Sequence, residues 1–134
     1  MAGYSGTPLV QKLGIKAGMR VYFEGAPRGY MSTLRGMPTV AQSRLAKGPL
    51  DFIQFFVTEK AELAQRFATL VEALAQDGML WVSWPKKSAR METDLDENIV
   101  REIALDGGLV DVKVCAVDEV WSGLKLVRRL KDRA

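Results

Sequence analysis

Hydrophobic and polar residues alternate along this chain in segments that change period several times. Leu9 to Leu13 reads as one short helical turn, closed by Gly14. Arg20 to Glu24, Arg-Val-Tyr-Phe-Glu, reads as a first strand, ended by Gly25-Ala26-Pro27. Pro27 suits the first turn of a helix, where its missing N–H costs nothing, and predicts a short helix to about Leu34. Thr39 to Leu45 predicts a weak second strand. Asp51 to Val57 is a nearly continuous apolar, β-favouring run, the pattern of a strand covered on both faces. Thr58 is placed to cap the helix that follows, which is predicted to run to about Gln76. In that helix Leu63, Phe67, Leu70 and Leu74 recur at steps of three and four, and Ala64, Val71 and Ala75 widen the stripe. Glu62 and Arg66 are spaced to pair on its outer side, and Asp77-Gly78 supplies the stop.

A strand from Met79 to Trp84 comes next. Pro85 cannot donate to a ladder and ends it. Lys86 to Thr93 is a polar loop. Asp94 and Glu97 form a capping-box-like start for a further helix, with Leu95, Ile99, Val100 and Ile103 turned inward and Gly107-Gly108 closing it. Val110 to Val117 and Leu124 to Arg129 are two final strands, joined by Asp118 to Gly123. Strands alternating with helices predict a mostly parallel sheet with helices on both faces and an antiparallel strand at the end. The expected fold is therefore a three-layer, Rossmann-like α/β domain. It takes in the whole chain, 1–134, with 1–17 as an N-terminal arm whose opening, Gly3 to Pro8, is turn chemistry.

Composition narrows the chemistry. The 134 residues are 48% apolar and 26% charged, as in ordinary soluble proteins, and the net charge of +3 is too small to argue for nucleic acid. With no histidine, Ser-His-Asp and Cys-His catalysis and histidine-ligated metals are excluded. The single cysteine, Cys115, lies in an apolar run and reads as a core residue. The start of the chain lacks the pattern of a signal peptide and no apolar stretch is long enough for a membrane span, so a soluble cytoplasmic protein without membrane contact is the expectation.

The element order resembles a shortened class I S-adenosylmethionine-dependent methyltransferase fold, in which the last strand, here Leu124 to Arg129, inserts antiparallel between its two predecessors. Three segments, Gly3-Tyr4-Ser5-Gly6-Thr7-Pro8-Leu9 with Lys12-Leu13-Gly14-Ile15, Leu80 to Lys87, and Val114 to Leu124, are also similar to a family of short bacterial proteins of unknown function. The methyltransferase resemblance implies a glycine-rich cofactor loop after the first strand and an acidic residue after the second that binds ribose hydroxyls. This chain has Gly25-Ala26-Pro27 at the first position. At the second, Ala41 to Lys47, it has Gln42, Ser43, Arg44 and Lys47 and no carboxylate.

The carboxyl ends of the strands of an open α/β sheet are where ligands bind. Candidate ligand-binding residues are therefore Gly25, Ala26 and Arg28, with Thr58, Trp84, Lys86 and Lys87. The two lysines offer charge to a phosphate or carboxylate. Trp81 and Trp84, three apart on a strand, face opposite ways, and core packing is the expectation for Trp81. Asp118, Glu119 and Trp121 form an acidic, aromatic turn and are candidates for contact with a partner. The expectation is a degenerate methyltransferase-like domain that is not catalytic and binds a small anionic ligand or a protein, with no cofactor in place. The alternatives are an active small methyltransferase using S-adenosylmethionine, and a weak nucleic-acid binder using Arg44, Lys47, Lys86, Lys87 and the tail Arg128, Arg129, Lys131 and Arg133. Oligomeric state is left open.

Overall fold

The computed structural model describes residues 7–134, so the turn chemistry read at Gly3 to Gly6 lies outside the described residues. A six-stranded sheet forms the centre. Its strands are β1 (Arg20–Glu24), β2 (Ala41–Gln42), β3 (Leu50–Phe56), β4 (Leu74–Pro85), β5 (Leu109–Ala116) and β6 (Trp121–Arg128), in the spatial order β2-β1-β3-β4-β6-β5. The first four pair in parallel, and β6 runs antiparallel between β4 and β5. This is the mostly parallel sheet with a closing antiparallel strand that the element order predicts, and that strand is inserted as the methyltransferase resemblance implies.

Helices α2 (Lys60–Ala73) and α3 (Glu97–Asp106) cover one face. Leu63, Phe67 and Leu70 of α2 and Val100 and Ala104 of α3 bury against Leu80, Val82, Trp84, Leu124 and Leu126 of the sheet. The other face is covered by α1 (Leu9–Leu13) and the segment after β1. Val10, Leu13, Tyr30 and Leu34 pack there on Phe52, Phe56, Trp81 and Trp121. Trp81 and Trp84 thus enter opposite cores. Trp81 Nε1 also donates to the Leu13 carbonyl at 2.9 Å, tying α1 to the sheet. Gly14, with φ of +84°, closes α1 as its sequence position suggests.

Tertiary contacts override local signals at several places, and β4 starts at Leu74 rather than Met79, with Asp77-Gly78 inside the strand instead of stopping α2. The helix expected after Pro27 is only a single 3₁₀ turn, Met31–Thr33, because Gly29 takes φ of +82° and Tyr30 turns into the core. Helix α2 ends at Ala73 rather than Gln76. Arg128 Nη2 donates to the carbonyls of Val71 and Leu74 at 2.7 and 2.9 Å, and the loop at Gly48 presses on the Ala73 carbonyl so closely that no Cβ would fit there. Thr58 does not cap α2; Glu59 holds the N-cap position without a side-chain bond, and the N–H of Lys60 is met by Asp94. Asp96 is the true cap of α3, accepting from the Ile99 N–H at 2.8 Å. The last hairpin turn is shorter than Asp118 to Gly123. Asp118 Oδ1 accepts from the N–H groups of both Val120 and Trp121 at 2.8 Å, so β6 already begins at Trp121.

Candidate functional site

Because β1, β3 and β4 are parallel, the candidate ligand residues all fall on one edge of the sheet, at the strands' carboxyl ends. Strand β2 lies on one side of β1 and β3 on the other, which makes the gap between β1 and β3 the topological switch point.

The turn that leaves β1 is locked onto β3. Gly25 has φ of +72°, and a Cβ there would sit 2.6 Å from the Phe56 carbonyl oxygen. This glycine thus serves close backbone contact between the turn and β3. Ala26 is half-buried in the second core, and Arg28 is exposed. Glu24, the last residue of β1, faces α2. Arg66 donates to it with two nitrogens, Nε to Oε2 at 2.7 Å and Nη2 to Oε1 at 2.6 Å, and Tyr22 Oη donates to Oε1 at 2.7 Å. Burial pushes the Glu24 carboxyl up, but the hydrogen bonds from Arg66 and Tyr22 and the Arg66 charge outweigh it and hold the group below the usual carboxylate range. Burial, then the bond and charge of Glu24, push the Tyr22 phenol up to about 12. Arg66 therefore serves Glu24 and not the expected partner Glu62, because a strand residue two away from Tyr22 presents its carboxylate to the helix at bidentate distance.

A second polar chain crosses the buried face beneath the same edge. Tyr30 Oη donates to Gln54 Oε1 at 2.8 Å, and Gln54 Nε2 donates to Ser83 Oγ at 3.1 Å. All three residues are buried, and burial raises the phenol of Tyr30. Tyr30 also meets Phe56 edge-on with ring centres 4.7 Å apart, and Phe56 meets Trp121 in the same way at 5.2 Å. Neither chain is apparent from residue spacing alone. The signals were Gln54 inside an apolar run and the two-residue step from Tyr22 to Glu24, which puts both on one face.

The remaining candidates separate. Trp84, Lys86 and Lys87 meet in a cavity of about 360 Å³ with Pro85, Asn98 and Ser122, at the amino end of α3. Asp96 and Glu97 line it too, but Asp96 caps α3 and Glu97 pairs with Arg101. Glu97 is thus neutralised by Arg101, and the two lysines share the cavity with the Asp96 carboxylate, which has one oxygen on the Ile99 N–H and makes no ion pair among the described residues. Thr58 lies in a different, acidic cavity with Glu59, Glu92, Thr93 and Asp94. Of the partner candidates, Trp121 is a core residue and Asp118 spends one oxygen on its own turn, while Glu119 is exposed. Cys115 is half-buried, and burial raises its thiol against the opposing pull of Lys12 and Lys113. Among the described residues no cluster of three or more carboxylate or cysteine groups is suited to a metal ion, and no helix is long and apolar enough to cross a membrane.

The basic residues do not share one face. Lys86 and Lys87 follow the carboxyl end of β4, while Lys47 sits just before the amino end of β3 in a cavity with Gly48, Thr69 and Glu72. The tail follows β6, which runs antiparallel to β4, and so leaves at the edge opposite Lys86. Arg128 is spent on the end of α2, and Arg133 donates to the Arg128 carbonyl.

The sheet order with its inserted terminal strand is that of the class I S-adenosylmethionine-dependent methyltransferase fold, and solved structures agree. The magnesium protoporphyrin IX methyltransferase of Synechocystis PCC 6803, solved with bound SAM, superposes with a TM-score of 0.60 at 17% identity, over 90% of this chain and 74% of that one. A SAM-dependent methyltransferase from Aquifex aeolicus gives 0.60 at 20% identity, over 88% and 86% of the two chains. The precorrin-6y C5,15-methyltransferase of Geobacter metallireducens GS-15 gives 0.60 at 11%, over 90% and 86%. These likenesses establish the fold. The chain itself belongs to a family described as protein of unknown function (DUF3052), whose model matches residues 50–130. Among curated proteins no sequence matches significantly.

The two features that the methyltransferase resemblance implies, a glycine-rich loop after β1 and an acidic residue after β2, are altered here. The glycine turn is packed on the Phe56 carbonyl, Glu24 is held by Arg66 and Tyr22, and Ser43, after β2, donates to the Leu45 carbonyl in a stretch without a carboxylate. Neither position offers the group that the resemblance implies for an adenosylated amino-acid cofactor.

Proposed function

We propose that this chain is a methyltransferase-like scaffold that has turned its cofactor crevice over to its own packing, transfers no methyl group, and binds a small anionic ligand beside Lys86 and Lys87. The observation that carries the reading is the state of Glu24. It ends the first strand at the switch point and is bound by three donor atoms of the protein itself. Support for the ligand comes from the Trp84–Lys87 cavity, where two lysines without ion-pair partners among the described residues meet the hydroxyl of Ser122 and the amide of Asn98. A carboxylate or phosphate is the chemistry those groups match.

The test begins with mass spectrometry of the purified protein for a copurified nucleoside. Calorimetric titration then follows with S-adenosylmethionine, S-adenosylhomocysteine and inorganic phosphate. We expect no heat from the first two and a phosphate isotherm that Lys86→Ala/Lys87→Ala abolishes. Transfer of a labelled methyl group from S-adenosylmethionine to any acceptor sinks the non-catalytic reading. An unchanged phosphate isotherm in the double variant sinks the site.

An active small methyltransferase is the second reading, favoured by the shared topology with a neighbour solved with SAM. It requires that S-adenosylhomocysteine bind despite the engaged Glu24. The nucleic-acid reading has less support: Lys47 and the tail lie at the sheet edge opposite Lys86 and Lys87, and only Arg44, after β2, shares the lysines' edge.

A further inference from the structure

Leu130 is 79% exposed, more than any other large apolar side chain among the described residues. It stands between Arg129 and Lys131, both exposed and neither making an ion pair. The segment is nonetheless held. Leu130–Asp132 forms a 3₁₀ turn, the Arg133 guanidinium donates to the Arg128 carbonyl at 3.1 and 3.3 Å, and the Ala134 N–H donates to Gln76 Oε1 at 3.1 Å. A fixed turn that presents a leucine to water between two cations is preorganised for docking, because little ordering entropy remains to be lost.

A matching surface lies next to it. Between α2 and α3 runs an apolar groove of about 470 Å³, floored by Phe67, Val71 and Ile103 and flanked by Glu72 and Asp106. Neither carboxylate has an ion-pair partner among the described residues; Lys47 shares a neighbouring cavity with Glu72 without pairing to it. The tail leaves the sheet beside this groove. Arg128 bonds the carbonyl of Val71 and lies opposite Leu109, two residues beyond Gly107, which also lines the groove. The chain's own Leu130 remains in water, so it does not fill its own groove.

We propose that the groove takes the Arg129-Leu130-Lys131 turn of a second copy of this chain, giving a two-fold dimer in which each copy inserts Leu130 beside α2 and α3 of the other. Groove and turn are adjacent on one surface, so a single two-fold axis lets both contacts form at once and closes the assembly. The cations of each turn then face Glu72 and Asp106 of the partner copy. This inference stands apart from the anion site, which lies at the other edge of the sheet.

Sedimentation of the full chain over a wide concentration range tests it. We expect a monomer–dimer equilibrium that weakens with salt and that Leu130→Ser weakens about tenfold or more. All the substituted positions are exposed, and thermal melts by circular dichroism confirm that each variant folds. A charge-swapped pair gives the second measurement. One chain carries Glu72→Lys and Asp106→Lys, the other Arg129→Glu and Lys131→Glu. We expect each to self-associate less than the parent, and the mixture to form the heterodimer. A chain that stays monomeric overturns the proposal. So does a dimer indifferent to Leu130→Ser, or a charge-swapped mixture that does not associate.

Discussion

Asp94 caps a helix to which it does not belong: its Oδ1 accepts the N–H of Lys60, the first residue of α2, at 2.7 Å across 34 residues of chain. Thr93 reinforces the joint by donating its hydroxyl to the Thr58 carbonyl. The loop that follows β4 is thereby stapled to the start of α2, and the one carboxylate both satisfies an orphan donor and faces the positive end of the helix dipole. We expect Asp94→Ala to cost about 1 kcal/mol and Asp94→Asn clearly less, since the amide oxygen still accepts. Chemical denaturation of the two variants checks the order.

The Glu24–Arg66 pair predicts an acid response. The folded state holds the Glu24 carboxyl below its ordinary value, so it contributes stability at higher pH and loses it as pH falls below the ordinary value of 4.5 and through the folded one. With both side chains partly exposed, Glu24→Gln should cost about 1–2 kcal/mol near neutral pH after allowance for solvent screening. Melting temperatures followed downward from neutrality should show the variant losing less than the parent. An equal acid loss in both would mean that the pair contributes nothing.

Gly25 and Gly29 separate two costs of a left-handed residue. Both have positive φ, but only at Gly25 would a Cβ meet a backbone atom, the Phe56 carbonyl oxygen. Gly29→Ala should cost about 1–2 kcal/mol for the conformation alone. Gly25→Ala should cost more, because the turn must move away from β3. A loss of ligand binding in a Gly25 variant is therefore no evidence that a ligand touches Gly25, and paired denaturation curves are needed beside any titration.

What was legible in the sequence was local or topological. The limits of β1 follow from a short β-favouring run ended by Gly25-Ala26-Pro27, and the close of α1 from Gly14. An antiparallel strand at the end follows from the order of elements, and its insertion between β4 and β5 from the methyltransferase resemblance. The caps were misread because Thr58, Asp94 and Asp96 are equally able to accept a backbone N–H, and only the fold decides which donor comes near. The early end of α2 depends on Arg128, more than fifty residues away. At the candidate site, Lys86 and Lys87 were visible as a pair after Pro85. The engagement of Glu24 was not, since its partner Arg66 comes from another element 42 residues on.

The chain from Tyr30 through Gln54 to Ser83 carries the last prediction. Each link is buried, so removing one partner leaves the other without water to replace it. Tyr30→Phe deletes the hydroxyl that donates to Gln54 Oε1 and keeps the ring against Phe56. It should cost about 1–3 kcal/mol, the usual penalty for stranding a buried acceptor. Gln54→Leu removes that acceptor and strands the Tyr30 hydroxyl instead. The double variant has neither group, so its loss should fall short of the sum of the single losses by about 1 kcal/mol. Strict additivity in a double-mutant cycle would show that the two side chains are not coupled. The Tyr30 loop would then be held over the switch point by its aromatic contacts alone.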